Sequence, residues 1–317
     1  MRQTVSREGA SATAFLELAA ALAEIGEERE AAEVFRRGYL KHPTIYPLLN
    51  EGQVPSREIA VSIRDYAVSL IRNGVAYSPI VASNAIAEAF LDNRSEVRRL
   101  VDYDRFFWNG EIEPPEGRDR REFNRALAAE IKSELKFYDE PQSKAIRKAW
   151  RHNQVLQRGL PNISLWECMI RARIDRYMAS VRGGPEHPFP RAMPVGYALE
   201  AWALVSNGES FHRPHIHSRA WMSGVYYVAC PAISLAPGSR VGWLRVGGPS
   251  MHGISARQGW EERFVSPEPG NAVMMPAYFF HWTEPSRSDD ERICIVFDVV
   301  PAELAGAGRD AGDERDE

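Results

Sequence analysis

The chain has 317 residues, of which 44% are hydrophobic and 26% charged, and its formal net charge at pH 7 is −4. This length and composition indicate a soluble globular protein with one large domain or two modest ones. Much of the charge lies after Leu304, where five acidic residues stand against two arginines, so the body of the chain is nearly neutral. The composition therefore argues against nucleic acid as a partner, and no apolar run is long enough to cross a bilayer.

The first residues and the cysteines favour a cytoplasmic protein. Glu17 and Glu24 interrupt the first apolar stretch, which is not typical of a secretory signal. Cys168, Cys230 and Cys294 are odd in number and far apart, and they match neither a disulfide framework nor the spacing of a zinc site. We therefore expect reduced thiols in a cytoplasmic protein.

Residues 1–100 are predicted to form an α-helical region. Residues 12–25 and 28–41 have the apolar spacing of two helices. Their order of large and small residues resembles one tetratricopeptide repeat, a unit that must stack on neighbours. An ordinary helical hairpin is the alternative. Residues 56–72 and 79–100 are predicted to be further helices, and the whole region is a candidate site for a protein partner.

A loop-rich segment follows, and then two more helices. Residues 101–121 contain paired prolines, glycines and charges, which favours loop structure. Apolar residues at four-residue spacing predict a helix over 120–136, and an apolar stripe predicts another over 164–182. Ser164 and Glu167 have the spacing of a capping box at the start of that second helix.

From residue 196 the pattern changes to short β-type segments separated by turn residues. The predicted strands are "GYALEAWALVS", "WMSGVYYV", "VGWLRV", "NAVMMP" and "RICIVFDVV". This succession predicts an antiparallel all-β unit, a sandwich or a small barrel such as a jelly roll. The residues after 302 are rich in glycine, alanine and charge, and we expect a disordered acidic tail over 303–317.

Three of the eight histidines lie in the stretch "FHRPHIH", residues 211–217. Alternate side chains of a strand share a face, so His215 and His217 are predicted to point the same way, and His212 the other way. His281 follows an apolar strand and is the natural third ligand of a metal ion, because antiparallel strands bring distant residues together. Imidazole suits iron, copper and zinc alike. A polar turn before a buried strand is the alternative.

Arg292 begins the last predicted strand, eleven positions after His281. An arginine that faces an apolar interior is costly unless an anion meets it, and guanidinium grips a carboxylate with two parallel hydrogen bonds. A metal with an arginine one strand away predicts a small dicarboxylate that chelates the metal and is held at its other end. The alternative is a solvated arginine or one paired with Asp290 or Glu291.

The motifs "PHIHSRAWMSGVYYV", "PEPGNAVMMPAYFFHWTEP" and "ERICIVFDV" together resemble the Fe(II)- and 2-oxoglutarate-dependent oxygenases. The likeness is closest to oxygenases with an H-x-H…SGVYY…H…R pattern, which often carry tetratricopeptide repeats. It is strong over 196–300 and weak over 100–302. It implies an α+β protein in which the helical region precedes an oxygenase domain over 101–302, a double-stranded β-helix or jelly-roll barrel with flanking helices.

The resemblance also implies roles for individual residues. His215 and His281 would bind Fe(II), and Arg292 would hold the distal carboxylate of 2-oxoglutarate. His217 stands where the family has aspartate or glutamate, so the site has three histidines, or two, or His217 supports it from behind. We favour three. Tyr226 and Tyr227 lie on opposite faces of a strand, so one of them would donate a hydrogen bond to the cosubstrate.

The activity that the resemblance implies is hydroxylation of a small molecule, a peptide or a protein, coupled to decarboxylation of 2-oxoglutarate. Two alternatives stay open. A cupin is another jelly roll with histidine ligands, but it needs a glutamate shortly after H-x-H, and "SRAWMSG" has none. A non-catalytic metal-binding scaffold would keep the fold and fail to convert 2-oxoglutarate.

Overall fold

The computed structural model describes residues 10–43, 54–134, 138–139, 146–184, 186–254, 258–286 and 288–305. The predicted acidic tail lies, beyond residue 305, outside this described part. The fold mixes helices with antiparallel sheets, as expected. The helices are α1 Ala12–Glu24, α2 Glu28–Lys41, α3 Arg57–Arg72, α4 Ser78–Phe90, α5 Arg94–Leu100, α6 Tyr103–Phe106, α7 Arg120–Glu134, α8 Pro161–Val181 and α9 Pro188–Arg191. None of these described helices is long and apolar enough to span a membrane.

The first two helices form a close antiparallel pair. Gly38 of α2 lies against α1, where a Cβ atom would come within 2.6 Å of the Phe15 Cβ, so only glycine fits at this crossing. The predicted hairpin is therefore present, but its likeness to a tetratricopeptide repeat is not confirmed. The helical prediction over 79–100 is confirmed, but the chain turns at Asp92, whose φ is +59°, so the segment holds two helices, α4 and α5.

The N-terminal helices pack directly on the β-structure. The Tyr39 hydroxyl of α2 donates to the Ser218 carbonyl, and the Ser78 hydroxyl donates to the Ala220 carbonyl over 2.6 Å. Val300 and Leu304 belong to the same hydrophobic cluster as α1 and α2. The helical region therefore contacts the segment that directly follows His217. The domain boundary at residue 100 stays a prediction.

The strands form two sheets. They are β1 Trp108–Glu111, β2 Tyr138–Asp139, β3 Ile146–His152, β4 Tyr197–His212, β5 Met222–Ala229, β6 Leu244–Val246, β7 Arg263–Val265, β8 Asn271–Pro276, β9 His281–Thr283 and β10 Ser288–Pro301. The larger sheet has the order β1-β8-β5-β10-β4-β3-β2, and the smaller has β7-β6-β9. A single antiparallel pair between His215 and His281 joins the chain before β5 to β9 of the smaller sheet.

Two segments near the sheets differ in part from the sequence expectations. The segment 101–121 is largely loop, as expected, but it also contains α6 and the strand β1, which pairs with β8 at the edge of the larger sheet. The capping box is absent, because α8 begins at Pro161, one turn before Ser164. The carboxylate of Glu130 on α7 caps α8 instead, accepting from the amide of Ile163 over 2.9 Å. The apolar stripe of α8 does pack in the core, where Trp166 meets Phe297 of β10.

Candidate metal centre

Three histidines from two segments of the chain meet at one point. One ligand atom each from His215, His217 and His281 lies within 4.8 Å of the others. The backbone holds them there. The amides and carbonyls of His215 and His281 exchange two hydrogen bonds of 3.1 Å, and the His217 amide donates to the Ala277 carbonyl over 3.0 Å. The separation suits imidazoles that share one ion.

The Nδ1 atom of each of these rings faces an acceptor. His215 Nδ1 lies 2.7 Å from the Arg213 carbonyl, and His281 Nδ1 lies 2.9 Å from the Phe279 carbonyl. His217 Nδ1 lies 2.7 Å from Asp298 Oδ1 and 2.9 Å from Oδ2. Carbonyl and carboxylate oxygens only accept hydrogen bonds, so the proton of each neutral ring is assigned to Nδ1. Each Nε2 then keeps a lone pair for a metal.

The electrostatics of the cluster favour neutral rings at His215 and His281. Burial, and secondly the neighbouring His217, lowers the pKa of His215 to about 4. Burial, followed by His215 and His217, holds the pKa of His281 well below its usual value. Both imidazoles are therefore uncharged at pH 7, the form that binds metal ions. Three imidazole nitrogens on one side of an open cavity fit a ferrous ion with positions left for other ligands.

Arg292 lies on β10, in the same cavity as the histidines. Its side chain is buried, at 4% exposure. Among the described residues its Nε has no hydrogen-bond partner, and its Nη1 reaches only the Cys294 sulfur, at 3.5 Å. Neither Asp290 nor Glu291 forms an ion pair with it in the described part of the chain; Glu291 pairs with Lys132. A buried guanidinium in this state calls for an anionic ligand.

The two tyrosines of β5 lie in different surroundings. The ring of Tyr227 lies under the Arg292 guanidinium, whose carbon is 5.5 Å from the ring centroid. Its hydroxyl is buried without a hydrogen-bond partner among the described residues. Tyr226 faces the helical side of the sheet and donates to Asn124 Oδ1 over 2.7 Å. The structure therefore brings Tyr227 next to Arg292, and Tyr226 lies away from it.

The histidines and Arg292 line a cavity of about 580 Å³. Apolar and aromatic side chains form much of the wall, among them Trp202, Leu244 and Met275. Trp202 stacks on the His217 ring, with 5.6 Å between centroids and 29° between planes. The cavity therefore has a histidine cluster that could hold a metal ion, a cation with no counter-ion among the described residues and an apolar lining, the combination typical of a small-molecule site.

Two residues of this cavity were missed by sequence reasoning. His212 was predicted to point away, but it lines the cavity and its Nδ1 lies 2.8 Å from the Thr283 hydroxyl. The turn at Arg213 and Pro214 breaks the strand alternation on which that prediction depended. Asp298 shares the alternating face of β10 with Arg292, a signal present in the sequence.

The fold and the cluster define a protein with antiparallel sheets and a group of histidines that could hold a metal ion. Residues 200–298 match the family model described as "Putative 2OG-Fe(II) oxygenase". This confirms the resemblance seen in the motifs. The matched region is a 2OG-Fe(II) oxygenase domain, and its cofactors are Fe(II) and 2-oxoglutarate. No curated protein sequence matches the chain.

Several solved structures are similar to the chain at low identity. A Pseudomonas putida prolyl-4-hydroxylase is 16% identical with a TM-score of 0.41, covering 63% of this chain and 95% of that one. A Trichoplax adhaerens prolyl hydroxylase, in complex with a hypoxia inducible factor peptide, is 14% identical with a TM-score of 0.46, covering 69% and 93%. HygX from Streptomyces hygroscopicus, with nickel and 2-oxoglutarate bound, is 14% identical with a TM-score of 0.40, covering 66% and 94%.

Proposed function

We propose that this 2OG-Fe(II) oxygenase is a hydroxylase. One observation carries the proposal: a cluster of three histidines and a buried arginine with no counter-ion among the described residues line the same cavity. In this proposal His215, His217 and His281 hold Fe(II) through Nε2, and Arg292 holds the far carboxylate of 2-oxoglutarate. A dicarboxylate with a 2-oxo acid at one end meets both requirements.

When bound, Fe(II) and 2-oxoglutarate supply the oxidation in which dioxygen, 2-oxoglutarate and a substrate C–H group give succinate, carbon dioxide and C–OH. The chain's own residues orient and shield these reactants. The Arg292 guanidinium offers two parallel N–H donors to a carboxylate, and the Tyr227 hydroxyl beside it offers a further donor. Trp202, Leu244 and Met275 keep the surroundings apolar and exclude water.

We also propose that the two antiparallel sheets form a double-stranded β-helix. The pairing of β5, β8, β10 and β4 in one sheet and of β6 and β9 in the other supports this reading. So does the pair between His215 and His281, which links segments that belong to the two sheets. A jelly roll of this kind places its ligands at the open end between the sheets.

The substrate in this proposal is a small molecule, a peptide or a protein. A peptide or protein substrate is supported by the N-terminal helices, since the contact of Tyr39 with Ser218 links them to the chain next to the metal cluster. A partner held by these helices would be delivered close to the cavity. The widely separated free cysteines support the cytoplasmic location.

The experiment begins with metal-free protein under anaerobic conditions. Fe(II) and 2-oxoglutarate are added, and the visible charge-transfer band of their chelate is recorded. We expect a band in the wild type, none in His281→Ala and a weaker one in Arg292→Ala at the same 2-oxoglutarate concentration. Arg219→Ala is the matched control, because Arg219 lines the same cavity but is paired with Glu200. Dioxygen is then admitted and succinate measured.

A wild-type protein that binds iron but gives no band would contradict the assignment of the cosubstrate. That result would favour a cupin or a non-catalytic metal-binding protein. A band that Arg219→Ala weakens as much as Arg292→Ala does would show that the arginine was chosen wrongly. A normal band without succinate in any condition would favour the non-catalytic alternative.

A further inference from the structure

Asp298 lies directly behind one of the three histidines. Both of its carboxylate oxygens are close to His217 Nδ1, at 2.7 and 2.9 Å. The residue is on β10, between Ser223 of β5 and Glu200 of β4 in the register of the larger sheet. The exposure of Asp298 is only 7%, and this partly buried contact joins two side chains that are 81 positions apart.

The contact distinguishes His217 from the other two histidines of the cluster. His215 and His281 each face a neutral backbone carbonyl through Nδ1. His217 alone of the three faces a carboxylate. His217 is also the residue that stands where the resembling oxygenases have an aspartate or glutamate ligand. A carboxylate, that of Asp298, is thus still present on this side of the site, but it is further from the metal position by the width of the His217 ring.

We propose that Asp298 is a positioning residue of the metal centre, and that its carboxylate supplies through the His217 ring the negative charge that a third imidazole ligand lacks. The inference rests on the proposed function. A site of two histidines and one carboxylate carries a charge of −1, whereas three neutral imidazoles carry none. A carboxylate that accepts the Nδ1 proton makes the opposite nitrogen a stronger donor to a metal.

The surroundings of Asp298 support this role. Among the described residues it forms no ion pair with a lysine or arginine, and its close contact is with the His217 ring. A buried carboxylate without a cation is costly. A divalent ion on His217 Nε2 provides positive charge at about the width of an imidazole ring from Asp298, so the carboxylate and the metal stabilise each other.

The His217 ring is also held in one orientation. Ser223 Oγ lies 2.9 Å from the same Nδ1, and Trp202 stacks on the face of the ring. Asp298 and Ser223 fix the edge of the imidazole and Trp202 fixes its plane, which directs Nε2 towards His215 and His281. A ring held this way loses little conformational freedom on binding the metal.

The test compares Asp298→Asn with Glu200→Gln. Both substitutions remove one carboxylate charge from the same cavity at directly opposed positions of β10 and β4, but Glu200 pairs with Arg219 and contacts none of the three histidines. The amide oxygen of asparagine still accepts from Nδ1, so the geometry is kept while the charge is lost. Two quantities are measured: the dissociation constant for Fe(II) under anaerobic conditions and the Fe(III)/Fe(II) reduction potential.

We expect Asp298→Asn to weaken Fe(II) binding by about 10- to 100-fold and to raise the reduction potential, because less negative charge then stabilises the ferric state. Glu200→Gln should change the affinity by less than about threefold. Equal effects of the two variants on both quantities would overturn the inference. A purely structural role of Asp298 would weaken binding without the shift in potential, and that result also contradicts it.

A double variant tests the same inference by moving the carboxylate to the ligand position. His217→Asp places a carboxylate at the ligand position, but it then faces Asp298. His217→Asp combined with Asp298→Asn has one carboxylate again and should bind Fe(II) more tightly than either single variant. Additive losses would count against the proposal. The result distinguishes a failure of the proposed function from a failure of this inference. No iron binding by the wild type refutes the proposed function. Normal binding by the wild type, with equal effects of Asp298→Asn and Glu200→Gln, refutes the role of Asp298 alone.

Discussion

The histidine end and the arginine end of the cavity are prepared in opposite ways. At the histidine end every Nδ1 of the cluster has an acceptor within 2.9 Å, and only the Nε2 side is left for a ligand. At the arginine end a buried guanidinium has no counter-ion among the described residues. The first end is organised for a cation and the second for an anion. A metal ion together with a dicarboxylate satisfies both ends. Neither end alone would indicate that pair of ligands.

The largest expected effect is at the histidine end. His281→Ala removes one of the three proposed ligands, so we expect no measurable Fe(II) binding at concentrations that saturate the wild type, as followed by anaerobic calorimetry. His212→Ala is the matched control. His212 is a cavity histidine whose ring lies 6.1 Å from that of His215, but it is not part of the three-residue cluster. Loss of iron binding in His212→Ala alone would show that the ligands were chosen wrongly.

The next effect is at the arginine end and concerns affinity for 2-oxoglutarate. Arg292→Ala should weaken binding by about 100-fold, in the range for truncating one partner of a buried charge pair. Arg292→Lys keeps the charge but loses the fork of donors, so an intermediate loss is expected. Pyruvate, a 2-oxo acid with no distal carboxylate, should bind the wild type and Arg292→Ala equally. A penalty of the same size for pyruvate would mean that Arg292 does not contact the distal group.

His187 contrasts with the histidines of the cluster, because both of its ring nitrogens have hydrogen-bond partners within the protein. Its Nδ1 accepts from the Phe189 amide over 3.1 Å, and its Nε2 lies 3.0 Å from the Arg99 carbonyl. Burial, and secondly Arg99, lowers its pKa from 6.5 to about 4. The unfolded chain therefore binds the proton more readily, so His187 destabilises the fold as pH falls from about 6.5 towards 4.

The expected size is about 2 kcal/mol of unfolding free energy between pH 7 and pH 5. Urea unfolding of the metal-free wild type and of His187→Asn at both pH values measures it. Asparagine retains a cap for the Phe189 amide but does not titrate, so the variant should lose less stability on acidification. If the unfolding free energies of the two proteins changed equally with pH, His187 would not be the cause of the loss of stability.

The sequence reasoning succeeded where local patterns decide the structure and failed where the partner is distant. The β-type pattern of "RICIVFDVV" predicted the last strand, which Arg292 begins, and helix periodicity indicated the core stripe of α8. Neither pattern shows what lies across the sheet. The pairing of Asp298 with His217 and the cap supplied by Glu130 depend on packing between segments that the sequence separates. The edge strand β1 was missed because its four residues lie in a segment rich in turn signals.

The smallest expected effect distinguishes the two tyrosines of β5. Tyr227→Phe removes the buried hydroxyl beside Arg292, which has no partner in the described part of the chain. If that hydroxyl donates to bound 2-oxoglutarate, its loss should weaken binding by about 1 kcal/mol, roughly fivefold. In the metal-free, ligand-free protein the same change should be neutral or stabilising, because an unsatisfied buried group is removed.

Tyr226→Phe should give the opposite pattern. It breaks the 2.7 Å hydrogen bond to Asn124 and leaves that buried amide oxygen unsatisfied, so the fold should lose roughly 1–3 kcal/mol while affinity for 2-oxoglutarate is unchanged. Measuring both quantities for both variants separates a hydroxyl that serves the ligand from one that serves the core. If Tyr226→Phe weakened the binding of 2-oxoglutarate and Tyr227→Phe did not, the arginine end of the cavity would lie on the other face of β5.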